Sequence, residues 1–175
     1  SLAKQFANHT IERAYHALVW GTPRTSSGSI ESQIGRSQFD RKRMAVLRSG
    51  GKTARTNYRV LEKFGDPARP FASLVECRLE TGRTHQIRVH LTHIGHPLVG
   101  DPLYGGGLKL PKGASEQLIA ALRGFRRQAL HAEKLSFTHP ATGVAMAFAA
   151  DRPADMDALV DMLRTDLVEH GPDDY

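Results

Sequence analysis

The sequence has 175 residues, 40% of them hydrophobic and 24% charged, the proportions of one ordinary globular domain able to bury a core. No apolar run approaches the roughly 20 residues of a membrane span, and no charged-then-apolar segment opens the chain as a secretory signal would. Cys77 is the sole cysteine, which excludes an internal disulfide and fits a reducing, cytoplasmic setting.

The net charge of +6 is unevenly spread. Residues 151–175 carry eight acids against two arginines, so residues 1–150 carry +12. The densest basic stretch runs from Arg36 to Arg59, with eight basic residues against Asp40 alone. Such asymmetry favours a polyanionic partner, although a solvated basic surface gives the same composition.

In chain order, residues 2–9 read as a helix and residues 13–20 as a strand ended by Gly-Thr-Pro at 21–23. Residues 24–55 hold Ser/Gly turns around short strands. Strands are expected over Thr56–Phe64 and Ala72–Leu79, joined as a hairpin by the Gly-Asp-Pro loop. In the second, Val75, Cys77 and Leu79 share a face at the two-residue period. A helix follows with Thr84 as its N-cap, carrying Ile87, Leu91 and Ile94 at helical spacing and stopped by Gly95 and Pro97. After a glycine-rich loop at 105–107, a helix over 114–123 points Leu118, Ile119 and Leu122 inward. Strands at 128–137 and 143–149 precede a last helix from Pro153, with Met156, Leu159, Val160, Leu163 and Leu167 in one apolar stripe. The order predicts a single α+β domain over 1–175, a mixed and largely antiparallel sheet flanked by helices, with a solvent-facing acidic helix packed behind a basic sheet.

Residues 79–105, LETGRTHQIRVHLTHIGHPLVGDPLYG, carry the chemistry. A strand stops at a glycine and enters a helix whose first turn holds Arg83, His85 and Arg88. Free N–H groups and the positive dipole end make such a turn suitable for phosphate or carboxylate. A capped helix with exposed arginines would give the same string. His85, His90, His93 and His96 cluster here at spacings of 5, 3 and 3, with no acid between them and no nearby cysteine. Helical metal motifs pair histidines at i and i+4, so no metal site is expected. Asp101, before a proline in a turn, reads as structural.

GRTHQIRVHL followed by GHPLVGDPLYG resembles the signature of the RluA-type pseudouridine synthases. ERAYHALVWG at 12–21, GKTARTNYRVLE at 51–62 and QALHAEKLSFTHPATG at 128–143 agree with it in the family's order. PKGASEQLIAALRGFRRQALHA resembles the branch that modifies large-subunit ribosomal RNA, the pseudouridine synthase D type. The resemblance implies isomerisation of uridine to pseudouridine in structured RNA, without metal, nucleotide or organic cofactor. Ribosomal RNA is the favoured partner, with transfer RNA possible within the wider family.

The same resemblance implies site residues. Tyr15 matches the active-site tyrosine that stacks on the base and is a candidate for proton removal at C5. A tyrosine hydroxyl is a weak base at neutral pH, so that role needs a tuned environment. Arg88 matches the basic residue that pairs with the catalytic aspartate and keeps it ionised. Leu130 matches the apolar residue lining the uracil pocket, with Leu135 as the alternative. Arg83 and His85 belong to the substrate-facing turn, and Arg41, Lys42, Arg43 and Lys52 are the candidates for holding RNA backbone.

The sequence departs from the family at one place. The nucleophile belongs to a motif reading His-Arg-Leu-Asp, two residues, then Thr-Ser/Thr-Gly, and no such string occurs. Asp40, Asp66 and Asp101 do not match it. The chain opens on Ser-Leu-Ala-Lys-Gln-Phe, the middle of a helix, so the expectation is an N-terminally truncated catalytic domain, inactive by itself. Edge backbone exposed by lost strands would favour self-association. The competing readings are a non-catalytic RNA-binding protein on the same fold and a metal-dependent hydrolase built on the histidines.

Overall fold

The computed structural model describes the backbone of residues 1–169 and side chains through residue 166. A short helix α1 (Leu2–Ala7) leads into β1 (Glu12–Trp20). Next come β2 (Ser27–Arg36), β3 (Met44–Leu47), β4 (Lys52–Phe64) and β5 (Ala72–Leu79). The chain then enters α2 (Gln86–His93) and α3 (Glu116–Gly124), returns through β6 (Leu130–Thr138) and β7 (Ala145–Ala149), and ends in α4 (Ala154–Glu169). The seven strands form one sheet in the order β3-β2-β4-β5-β1-β6-β7, and every neighbouring pair is antiparallel.

The central strands are covered on both faces, so their sequences lose polar alternation. Ala17, Leu18, Val19 and Trp20 of β1 are all buried, as are Ala72 to Val75 of β5. One face packs on α3 and α4. There Leu18, Phe64 and Leu74 meet Leu118, Leu122, Met156, Leu159, Val160 and Leu163. Each such leucine contributes about 2 kcal/mol by leaving water. The opposite face packs on α2, with Ala17, Val19, Val75 and Cys77 against Ile87, Leu91 and Leu98.

The β4–β5 hairpin forms as expected, although β4 starts four residues earlier than the periodicity predicts. The apolar stripe of α4 is buried from Met156 to Leu163; the Leu167 side chain lies outside the described residues. The acidic face of α4 is not wholly solvent-facing. Asp166 is buried, and its Oδ2 accepts the Ser115 N–H at the start of α3. Asp155 and Asp157 pair with Arg127 and Arg152, and Arg164 grips Glu62 of β4 through two bonds of 2.6 and 2.8 Å. No described helix is long and apolar enough to cross a membrane.

Candidate active site

The site is built around the entry to α2. Helix α2 does not start from Thr84. His85 precedes it with left-handed backbone (φ 56°) and no side-chain cap, while the Gln86 side chain folds back. Its Oε1 accepts from the Arg83 N–H at 3.0 Å and from Thr81 Oγ1 at 2.7 Å. Its Nε2 donates to the Arg55 carbonyl and to Thr56 Oγ1, both at 2.9 Å. A buried amide with every bond made holds the turn against β4, which is why a threonine cap is not used.

The network continues inward. Thr56 Oγ1, accepting from Gln86, bonds His90 Nδ1 at 2.8 Å, and His90 Nε2 meets Ser32 Oγ at 2.8 Å. Burial, helped by His93, pushes the His90 imidazole down to about 4, so it is neutral at pH 7 and ties α2 to β2 and β4. The four histidines of the sequence cluster have separate surroundings. His85 bonds Tyr104 and His96 faces the Trp20 carbonyl, while His93 is exposed.

Arg88, in the first turns of α2, is buried against Asp101. Nε reaches Oδ2 and Nη2 reaches Oδ1, both at 2.8 Å. Asp101 Oδ1 also accepts the N–H groups of Leu103 and Tyr104 at 2.9 and 3.0 Å. Asp101 is therefore the turn residue the sequence predicts and also the bidentate partner of Arg88. Burial pushes its carboxyl up, but Arg88 and the two amides together hold it below the usual carboxylate range. The Tyr104 ring lies 4.9 Å from the Arg88 guanidinium, and its hydroxyl joins the Met44 N–H (2.8 Å) to His85 Nδ1 (2.9 Å). Burial, then the nearby Arg88 charge, pushes the His85 imidazole below its ordinary value. Gly100 permits this packing, because at φ +73° a side chain there would strike the carbonyls of Phe125 and Arg127.

Tyr15 lies in the sheet beneath, half-buried between Cys77 of β5 and Ala132 of β6. The β1–β6 register shifts beside it, leaving Glu133 as an extra residue. Bulges of this kind re-aim neighbouring side chains and concentrate near active sites. Tyr15 and Leu130 pack on the same apolar cluster, to which Ile87, the neighbour of Arg88, also belongs. Leu135 is 38% exposed and outside that cluster, so of the two alternatives Leu130 is the one that shares the cluster with the tyrosine.

A match to the family model described as RNA pseudouridylate synthase covers residues 1–93, more than half of the chain. The chain belongs to that family. It is 50% identical over 166 residues to the ribosomal large subunit pseudouridine synthase D of Xanthomonas campestris, covering 95% of this chain and 48% of the relative. To the protein of the same name from Escherichia coli K12 it is 46% identical over 169 residues, covering 97% and 50%. The chain thus spans about half the length of the curated relatives it matches. The solved structure of human RNA pseudouridylate synthase domain containing 4 superposes with a TM-score of 0.68, at 23% identity, over 93% of this chain and 66% of that one. This likeness supports the fold.

Around the pseudouridylate synthase core, the basic candidates divide. Lys52 and Arg83 line one recess of about 390 Å³ with Arg36, and Arg83 Nε donates to the Thr53 carbonyl at 2.9 Å. Arg41, Lys42 and Arg43 are exposed between β2 and β3, where Asp40 accepts the Lys42 N–H and lies 3.5 Å from Arg43. No hydrogen bond or ion pair joins Arg41 or Lys42 to Tyr15 among the described residues. Much of the remaining basic run is already neutralised, Arg55 by Glu31 and Glu80 and Arg59 by Glu76.

Sequence reasoning missed Gln86, Tyr104 and Arg13. Arg13 precedes Tyr15 by two on β1 and has a buried Nε with no partner among the described residues; its guanidinium covers the Phe6 ring at 5.3 Å. On the far side of β1, His16, Glu76 and Glu133 bring donor atoms within 4.8 Å of one another. Arg152 donates to His16 Nδ1 at 3.0 Å, and His16 Nε2 meets Glu133 at 3.0 Å, so a guanidinium already supplies the cation there.

Proposed function

We propose that this chain is the C-terminal part of a single catalytic domain that isomerises uridine to pseudouridine in RNA of the large ribosomal subunit, in the cytoplasm. The observation that carries the reading is that Tyr15 and Leu130 pack on the apolar cluster that takes Ile87 and Leu91 of α2, the helix whose Arg88 is buried and clamped by Asp101. The reaction cuts N1–C1′ of uridine, turns the uracil and joins C5 to C1′, with the C5 proton leaving and N1 gaining one. Such enzymes flip the target base into a pocket. Tyr15 stacks on the base and takes part in proton removal, Leu130 lines the pocket, and Arg88 orients the carboxylate nucleophile. Arg83 and His85 face the substrate strand, and Arg41, Lys42, Arg43 and Lys52 hold its backbone. Ribosomal RNA is favoured over transfer RNA by the names of the relatives. No step in this scheme calls for a cofactor.

No aspartate of this sequence stands in the nucleophile motif, so we expect these 175 residues alone to be inactive. The test is tritium release from C5-labelled large-subunit RNA by this chain and by a version extended upstream through a His-Arg-Leu-Asp motif. Only the extended protein should release tritium. Turnover by this chain alone would overturn the assignment of the nucleophile. Release by neither, with RNA still bound, would favour the second reading, an RNA-binding protein on the same fold.

The outer edge of β7, flanked by exposed Val144 and Phe148, is the surface through which the chain would self-associate. Size-exclusion chromatography at rising concentration should show dimer. A clean monomer throughout would remove this proposal.

A further inference from the structure

An open groove of about 730 Å³ lies beside the Arg88–Asp101 pair. Its walls are the glycine-rich connection ending at Leu108, the C-terminal end of α3, and Arg43 at the start of β3. Arg123 and Arg126 line it with Arg43, and all three are exposed. Neither Arg123 nor Arg126 makes an ion pair or a hydrogen bond among the described residues. The adjacent Arg127, by contrast, is bidentate to Asp155 at 2.7 and 3.2 Å, so pairing is available to this segment and is not used on the groove side.

Among the described residues the only carboxylate lining the groove is Asp101, and its two oxygens are taken by Arg88, Leu103 and Tyr104. Arg123 and Arg126, without ion pairs among the described residues, and Arg43, which lies 3.5 Å from Asp40, therefore line the space with one neutralised acid. The C-terminal end of α3 presents the negative end of its dipole, so attraction for an anion rests on the arginines alone. Gly106 and Gly107 have positive φ, 66° and 99°, and open space where side chains would stand. That wall stays low, and the backbone of a polymer can approach it. The floor is apolar, with Leu103, Leu122 and Phe125, a surface on which ribose can rest.

We propose that this groove is a second RNA-backbone site, separate from the Arg83–Lys52 recess, in which Arg123 and Arg126 take successive phosphates of the strand flanking the target uridine. Arg43 joins it to the basic stretch between β2 and β3, and Asp101 joins it to Arg88, so a strand lying here ends beside the guanidinium of the site. The inference rests on the reading of the chain as an RNA-modifying domain.

The test is filter binding of a labelled single-stranded RNA and of a large-subunit RNA transcript to this chain across a salt series. The proteins compared are the unaltered chain, the pair Arg123→Gln and Arg126→Gln, and a control pair of equal charge loss, Arg24→Gln and Arg69→Gln, with circular dichroism melts confirming folding. The groove pair should bind roughly tenfold more weakly near 0.1 M salt, with the slope of log K against log salt reduced by about 1.4, since each single-strand phosphate contact contributes about 0.7. Equal losses in both pairs, or no loss in the groove pair, would overturn the groove while leaving the function standing. Failure of the unaltered chain to bind either RNA would instead remove the functional reading on which the groove depends.

Discussion

The two faces of the sheet are held by different forces. Against α3 and α4, contact is made by Leu18, Phe64, Leu118, Leu159 and Leu163, with few polar atoms inside. Against α2, buried polar groups are threaded through the apolar contact, with Gln86, Thr56 and His90 in one chain of bonds and Arg88 with Asp101 in another. Apolar packing is non-directional and tolerates small shifts. A fully bonded polar network admits one arrangement and penalises the others. The α4 face therefore supplies stability, and the α2 face fixes position, as the chemistry proposed for Arg88 requires.

The sharpest way to break the contrast is Arg88→Met. It leaves the Asp101 carboxylate buried without its ion partner, at an expected cost of about 4 kcal/mol in urea unfolding. If the pair were only a surface contact, the loss would stay below about 1 kcal/mol. Leu163→Ala, on the other face, should cost about 3 kcal/mol through a cavity under α4. In the upstream-extended protein at a temperature where it remains folded, that substitution should leave tritium release near normal. A matching loss of activity would mean that the two faces are not separable.

The smallest effect sharpens the comparison through pH. The His90 imidazole titrates near 4 in the folded chain against an ordinary 6.5. Between those values the unfolded chain binds a proton that the folded chain refuses. Stability present at pH 7 is therefore lost as pH falls through 6.5 toward 4, by about 2 kcal/mol between pH 7 and pH 5. His85 and His16, also pushed down mainly by burial, act in the same direction. Denaturant midpoints that do not move between pH 7 and pH 5 would show that His90 is hydrated and the network loose.

How much of this was legible beforehand follows from the range of the interactions. Strand β5 shows in the sequence to the residue, because a two-residue apolar period and flanking turns are local. The burial of α4 shows in its stripe from Met156 to Leu163 for the same reason. The Thr84 cap failed because His85, in left-handed backbone, precedes the helix, and the Gln86 side chain that braces the turn makes two of its bonds to Arg55 and Thr56, about thirty residues away on β4. The Arg88–Asp101 clamp joins a helix to a turn after it, and no periodicity encodes that. Asp101 alone reads as a turn residue, and Arg88 alone as a free cation. The bulge at Glu133 has no glycine or proline to announce it. Tyr15 and Leu130 are candidates through resemblance alone, since each taken singly is an ordinary strand residue.

One feature of the central strands gives the molecule a gauge of its own opening. Cys77, directly across from Tyr15 on β5, is fully buried, and burial pushes its thiol up to about 12. At neutral pH it is both sealed from reagents and starved of thiolate, the form that reacts. No other sulfhydryl competes with it. The rate at which an alkylating probe captures this one sulfur is therefore a clock for how often the middle of the sheet comes apart.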